Sequence, residues 1–234
     1  MLVLCLLTRT SLKAQQHFNL WTRATVALPF AKKFRTDVEY QHRRQSGFGN
    51  HNAFDDNLMH SFRLWFNYRH SQHVSFIISP FAYFSNFKVI QKASDEPAQK
   101  SKEYRFAVAI DLQGELAKHF FITGRTGLEY RLFEAPSNNF VRFRNRIGLR
   151  YDAHSKISLQ LFDELLLNIA GTDIQHFFDH NRAAFIFSYA PVKPFRMDIG
   201  YIYITRLGRT ATTTFDEANF VCHLTYILPE VKKK

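Results

Sequence analysis

Arg142, Arg144, Arg146 and Arg150 recur at even spacings in one short stretch. Residues two apart share a face of a β-strand, so on a strand all four point to one side. A guanidinium is permanently charged and offers a rigid fork of donors that fits carboxylate or phosphate. Such a row must be matched by nearby acids or by something bound. Glu129, Asp152 and Glu164 are the candidate acids. Two chemistries follow: a self-neutralising ion-pair network, or a row that draws in small anions. Arg35, Asp37, Glu39, Arg63, Arg105, Arg125, Arg182, Arg196 and Asp198 obey the same alternation. With the four arginines, Glu129 and Glu164, they are expected to line one enclosed polar space.

Other candidate chemistry is weaker. Asp163-Glu164 could suggest a glycosidase pair, but adjacent strand residues face opposite ways. Glu164 is instead expected to pair with Arg182 across a hairpin. Of the 11 histidines, His42, His51, His60, His70, His73, His176 and His180 fall near expected strand ends or loops, where solvent or an interface would hold them. His60-Ser61 is the nearest approach to a hydrolase pair, and it too diverges on a strand. Cys5 and Cys222 are the two cysteines, too few for a cysteine-based metal cluster. There is no HExxH helix and no phosphate-cradling glycine loop. The sequence therefore predicts no enzyme, metal site or cofactor. A net charge of +11 raises nucleic acid as a partner. Binding single strands would need arginines and aromatics together on one exposed face, and here they alternate.

The elements that must hold these residues are long strands. Phe34, Thr36, Val38 and Tyr40 alternate with Arg35, Asp37, Glu39 and Gln41; Tyr104, Phe106, Val108 and Ile110 alternate with Glu103, Arg105 and Asp111. Eleven such segments are expected near 18–28, 34–44, 57–70, 73–86, 102–113, 119–132, 140–152, 156–169, 180–190, 194–206 and 216–228. Most are about twice as long as strands of soluble domains, as tilted membrane-crossing strands must be. Short turns are expected at 29–33, 71–72, 114–118, 153–155 and 191–193, alternating with longer polar loops at 45–56, 88–101, 134–139, 171–179 and 207–215. Membrane barrels alternate in this way and normally have an even number of strands, so 10 or 12 are expected, with 12 favoured.

Composition agrees. There are 25 Phe and 10 Tyr against 9 Gly and 7 Pro, and mean hydropathy is −0.26. An average this polar still suits a membrane barrel, because only alternate residues face lipid. The bulky rows are almost free of charge, and open sheet edges cannot sit in hydrocarbon, so the sheet must close. Residues 1–15 are read as a secretory leader and 16–234 as one antiparallel transmembrane β-barrel of the Gram-negative outer membrane. Its expected partners are membrane lipid, the outer-membrane insertion machinery and a small anionic solute, with no nucleic acid. The expected role is a narrow small-solute or ion channel. The alternatives are a non-conducting barrel with recognition loops and, less favoured, a membrane-embedded lipid hydrolase.

Several short stretches also carry a family likeness. Leu20-Trp21-Thr22-Arg23, Pro29 to Lys33 and Glu39-Tyr40-Gln41-His42-Arg43 resemble the opening strands of the outer-membrane barrel family catalogued as domain of unknown function 2490. Phe143 to Gly148 resembles its arginine-rich central strand, and Asp163-Glu164, Asn181-Arg182 and Gly200-Tyr201 its later marks. The likeness implies fold and location and no known activity. The chain departs from the pattern at its leader and at its C-terminus, Leu228 to Val231 followed by lysines.

Overall fold

The computed structural model describes residues 17–90, 92–96, 100–135, 138–208 and 211–230. The expected leader and the terminal lysines lie outside them. Eleven strands close into a barrel: β1 (His17–Ala31), β2 (Phe34–Gln45), β3 (Asp56–Arg69), β4 (Val74–Asn86), β5 (Ser101–Ala117), β6 (Phe120–Phe133), β7 (Phe140–His154), β8 (Ile157–Ala170), β9 (Phe178–Val192), β10 (Phe195–Leu207) and β11 (Thr214–Ile227). Each corresponds to one of the eleven alternating segments.

The count corrects the expectation of 12, and the closure corrects the all-antiparallel expectation. Sequence neighbours pair antiparallel, whereas β1 pairs with β11 in parallel, from His17 opposite Glu217 to Ala27 opposite Ile227. An odd number of up-and-down strands leaves the first and last running in the same direction. A parallel ladder joins them with every backbone group still bonded, so no twelfth strand is required. The turn expected at 114–118 is also shorter. β5 runs on through Gly114 to Ala117, with a register shift beside Glu115, and Lys118-His119 alone reverses the chain. His119 takes a left-handed conformation in this turn (φ 68°).

The packing is inverted relative to a water-soluble domain. The largest fully buried side chains include Glu103, Glu129, Glu217, Gln45, Asn19, Asn219 and His180. Ile147, Leu161, Val108 and Phe220 are at least half exposed on the outside (57, 56, 51 and 50%). In water that arrangement would be unfavourable on both counts. Near the short turns the outer face carries an aromatic belt, in which Phe30, Phe34, Tyr68 and Phe76 stack in sequence at 5.8, 4.9 and 6.3 Å.

The β4–β5 loop is tied across the opposite end. The Gln45 side-chain amide donates to the Lys88 carbonyl (2.9 Å), and its oxygen accepts from the Ile90 amide (3.1 Å). Ile90 is buried as a result, and Lys88 pairs with Asp95 in the 3-10 turn Ala93–Asp95.

Candidate functional site

One cavity of about 1120 Å³ runs inside the barrel, lined from Ser71, Gln72 and His73 at the short-turn end to Phe87, Lys88 and Val89 beneath the loop. Fourteen of the fifteen residues expected there form its wall: Arg35, Asp37, Glu39, Arg63, Arg105, Arg125, Arg142, Arg144, Arg146, Arg150, Glu164, Arg182, Arg196 and Asp198. The fifteenth, Glu129, lies just behind the arginines and is 1% exposed. Period-two alternation thus turns every polar row inward.

The half nearer the loops is a packed ion-pair lattice built on glutamates. The Glu129 carboxylate meets Arg105 (3.4 Å), Arg63 (3.5 Å), Arg144 (3.6 Å) and Arg142 (3.9 Å). Glu103 takes Arg131 (2.6 Å), Arg105 and the Asn86 amide (3.0 Å). Glu164 bridges Arg144 (2.8 Å) and Arg182 (3.2 Å), the hairpin pairing expected from the sequence. Glu217 takes Arg206 (2.6 Å) and the Asn19 amide (2.9 Å) across the parallel seam.

The half nearer the short turns uses aspartates, and its pairs are more exposed. Arg35–Asp37 (2.8 Å), Arg196–Asp198 (2.7 Å) and Arg150–Asp152 (3.0 Å) are pairs at this end, and the Arg35 and Arg196 side chains are each 49% exposed. Pairs so exposed are screened and contribute little to stability. Their consequence is the local field, since the cavity as a whole is lined by fifteen arginines against seven carboxylates.

Sequence reasoning missed an apolar strip in this wall. Trp21, Ala184, Ile186, Ile202, Ile204 and Val221 form a buried cluster on the inner side of β1, β9, β10 and β11, with Phe162 of β8 against it. The signal was present: Ile199 to Ile204 is apolar on both faces apart from Gly200, unlike the charged alternation elsewhere. The guanidinium of Arg43 lies 3.4 Å from the Trp21 ring centroid, and Arg182 lies 5.6 Å from it. His180 also departs from expectation. It is 1% exposed inside the barrel, bonded to Asp179 (2.5 Å) and facing Arg206 (3.4 Å), because strand stagger carries the start of β9 below the rim.

The residue pairs that hinted at hydrolysis separate. Ser61 turns inward and is 3% exposed, while His60 turns outward and stacks on His42 at 4.3 Å. Glu164 faces the lumen, and Asp163 faces out to accept from Asn181 (2.8 Å). Among the described residues no three His, Cys, Asp or Glu side chains are grouped as metal ligands.

A closed, inside-out, up-and-down barrel with a charged lumen is the architecture of outer-membrane β-barrel proteins. The NanC porin structure shares the fold at 9% identity and a TM-score of 0.51, over 91% of this chain and 99% of that one. LpxR from Salmonella typhimurium aligns over 83% of each chain at 8% identity and a TM-score of 0.48. No curated protein matches the sequence. The family described as "Protein of unknown function (DUF2490)" matches residues 18–214, and the chain belongs to it.

Proposed function

We propose that the protein is an outer-membrane barrel that admits small anions through a narrow, arginine-lined lumen entered from the periplasmic end. The excess of arginine over carboxylate along a single cavity carries this reading. Even when Glu103, Glu129 and Asp179 behind the wall are added to the seven lining carboxylates, the arginines outnumber the acids. A charged, low-dielectric passage concentrates ions of opposite sign. The interior is far too narrow for the wide aqueous pores of about 16–18 strands, which limits passage to small solutes. Short turns face the periplasm in proteins of this architecture, so the exposed, aspartate-bearing half is the periplasmic one.

Reconstituted in planar bilayers under a salt gradient, the protein should give small currents whose reversal potential has the sign of anion preference. Cation preference would overturn the proposal. A silent bilayer would favour a second reading, a non-conducting barrel that holds an anion, which the buried glutamate lattice and the tied loop also support.

The membrane location has its own test. Ile147 lies midway along β7 and points outward, whereas Gln160 of β8 lines the cavity. Ile147→Arg should cost about 2–4 kcal/mol of folding stability in lipid vesicles, as a cation at mid-membrane does. Gln160→Arg should cost much less. Equal costs, read from urea unfolding, would contradict a lipid-facing outer surface.

A further inference from the structure

We infer that the lumen contains a specific site for an organic carboxylate with an apolar body, held by Arg43 and resting on Trp21. This rests on the anion-admitting reading above and adds to it a place and a ligand class.

Arg43 differs from the arginines gathered on Glu103, Glu129, Glu164 and Glu217. Every Asp and Glu in the sequence lies among the described residues, and none comes within 4 Å of the Arg43 guanidinium in an ion pair. Its side-chain hydrogen bond goes to the neutral Gln41 amide oxygen (3.0 Å). A cation in such surroundings calls for a counter-anion.

The atoms around it are donors in search of an acceptor. Arg43 Nε, Arg182 Nε and Trp21 Nε1 are all buried without a hydrogen-bond partner, and all three belong to side chains gathered at one indole ring. Trp21 is 3% exposed, and all three residues line the cavity. An indole N–H and a guanidinium can only donate. Three unmet donors beside an unmatched positive charge specify an acceptor that is itself negative. Native proteins leave few buried polar atoms unpaired, and those they do leave often mark where something else binds.

The apolar strip supplies the rest of the specificity. Ile186, Ile202 and Phe162 also line the cavity on the Trp21 side. Arg146, likewise outside carboxylate reach, stacks over Phe162 at 5.0 Å. A bare inorganic anion would satisfy Arg43 and leave this wall against water. An aromatic or branched aliphatic carboxylate places its planar head on the guanidinium fork and its body on the strip.

The test is binding of 4-fluorobenzoate to the detergent-purified full barrel, followed by ¹⁹F line broadening, with acetate, inorganic phosphate and neutral fluorobenzyl alcohol alongside. The proposal expects saturable fluorobenzoate binding, at least about tenfold weaker binding of the other three, and loss of about tenfold or more in Arg43→Gln. Arg43→Lys keeps the charge but lacks the planar fork, so it should lose comparably, and Trp21→Phe should lose part. These two variants keep the test open if Arg43→Gln fails to fold. Unchanged binding in the Arg43 variants, or equal response to the neutral alcohol, overturns the site. Phosphate binding as tight as fluorobenzoate removes the apolar part of the specificity and overturns the stated class. Anion preference in bilayers is a property of the whole lumen and should survive Arg43→Lys, so failure of the site and failure of the anion-admitting reading are told apart.

Discussion

Replacing Glu129 with glutamine is expected to destabilise the barrel by about 3–5 kcal/mol, the usual consequence of removing one partner from a buried charge cluster. Four guanidiniums converge on this carboxylate from β3, β5 and β7, at 3.4–3.9 Å. Glutamine keeps the shape and removes the charge. Three of the four arginines have second acids: Glu103 for Arg105, Asp179 for Arg142 and Glu164 for Arg144. Arg63 does not. It forms its carboxylate pair with Glu129 and otherwise stacks on Trp65 (4.6 Å) and Phe84 (4.9 Å). Most of the loss should therefore reside in Arg63, and Arg63→Met in the Glu129→Gln background should recover part of it. Urea unfolding of the reconstituted protein, followed by tryptophan fluorescence through the four members of this double-mutant cycle, measures both effects. A Glu129→Gln barrel within about 1 kcal/mol of the parent would mean that the lattice is not what holds the inner wall.

What the sequence made legible, and what it did not, divides by the range of the interaction. Alternation is local. Arg142 and Arg144 are two residues apart, and that alone sets both on the inner face wherever the strand lies. The same holds for Arg35, Asp37 and Glu39. Closure is not local. His17 and Glu217 are opposite each other, yet nothing in the period of β1 or β11 states that they meet or that they run in the same direction. Parity reasoning filled that gap with a twelfth strand because it assumed an antiparallel seam. Stagger between strands is equally remote from local pattern, so His180 looked like a rim residue. The apolar strip was overlooked for a different reason. Ile202 and Ile204 share a face with Asp198 and Arg206, and a rule that assigns each face a single polarity has no place for them.

The two halves of the lumen show how one alternation supports two behaviours. Glutamate reaches farther from its strand than aspartate, and Glu129 touches arginines on three strands. At the short-turn end, Arg35–Asp37 and Arg196–Asp198 each join residues two apart on one strand, leaving space beyond them. The cross-strand glutamates tie the wall of the loop half into a packed lattice, and the in-strand aspartates leave the other half a charged vestibule. On the proposed reading, an anion drawn into the vestibule reaches Trp21 and Arg43 within the packed half itself. A binding site and a constriction are therefore compatible in one barrel.

The other large effect is expected at Gly148, which shares its face with the arginine row. A β-carbon built there would overlap the Leu161 carbonyl oxygen and come within 2.7 Å of the Phe162 β-carbon. Gly127 meets the Val108 carbonyl at 2.5 Å in the same way, and Gly200 the Phe185 carbonyl. In each case the obstacle is the backbone of the neighbouring strand, which cannot yield without breaking its ladder. Glycine here lets the backbones of β7 and β8 come close together, a use of glycine common in closed sheets of few strands. It also leaves room for Phe162, its register partner, on whose ring Arg146 rests. Gly148→Ala should cost about 1–3 kcal/mol, the usual range for forcing extra carbon into a packed interior. Gly148→Val should stop the barrel from closing, seen as loss of the compact, heat-sensitive band on gels run without boiling. Gly124→Ala is the control, because its nearest neighbours are 3.7 and 3.9 Å away and the change should be nearly silent. If Gly148→Val closed as readily as Gly124→Ala, the close approach of β7 and β8 would not depend on the missing side chain.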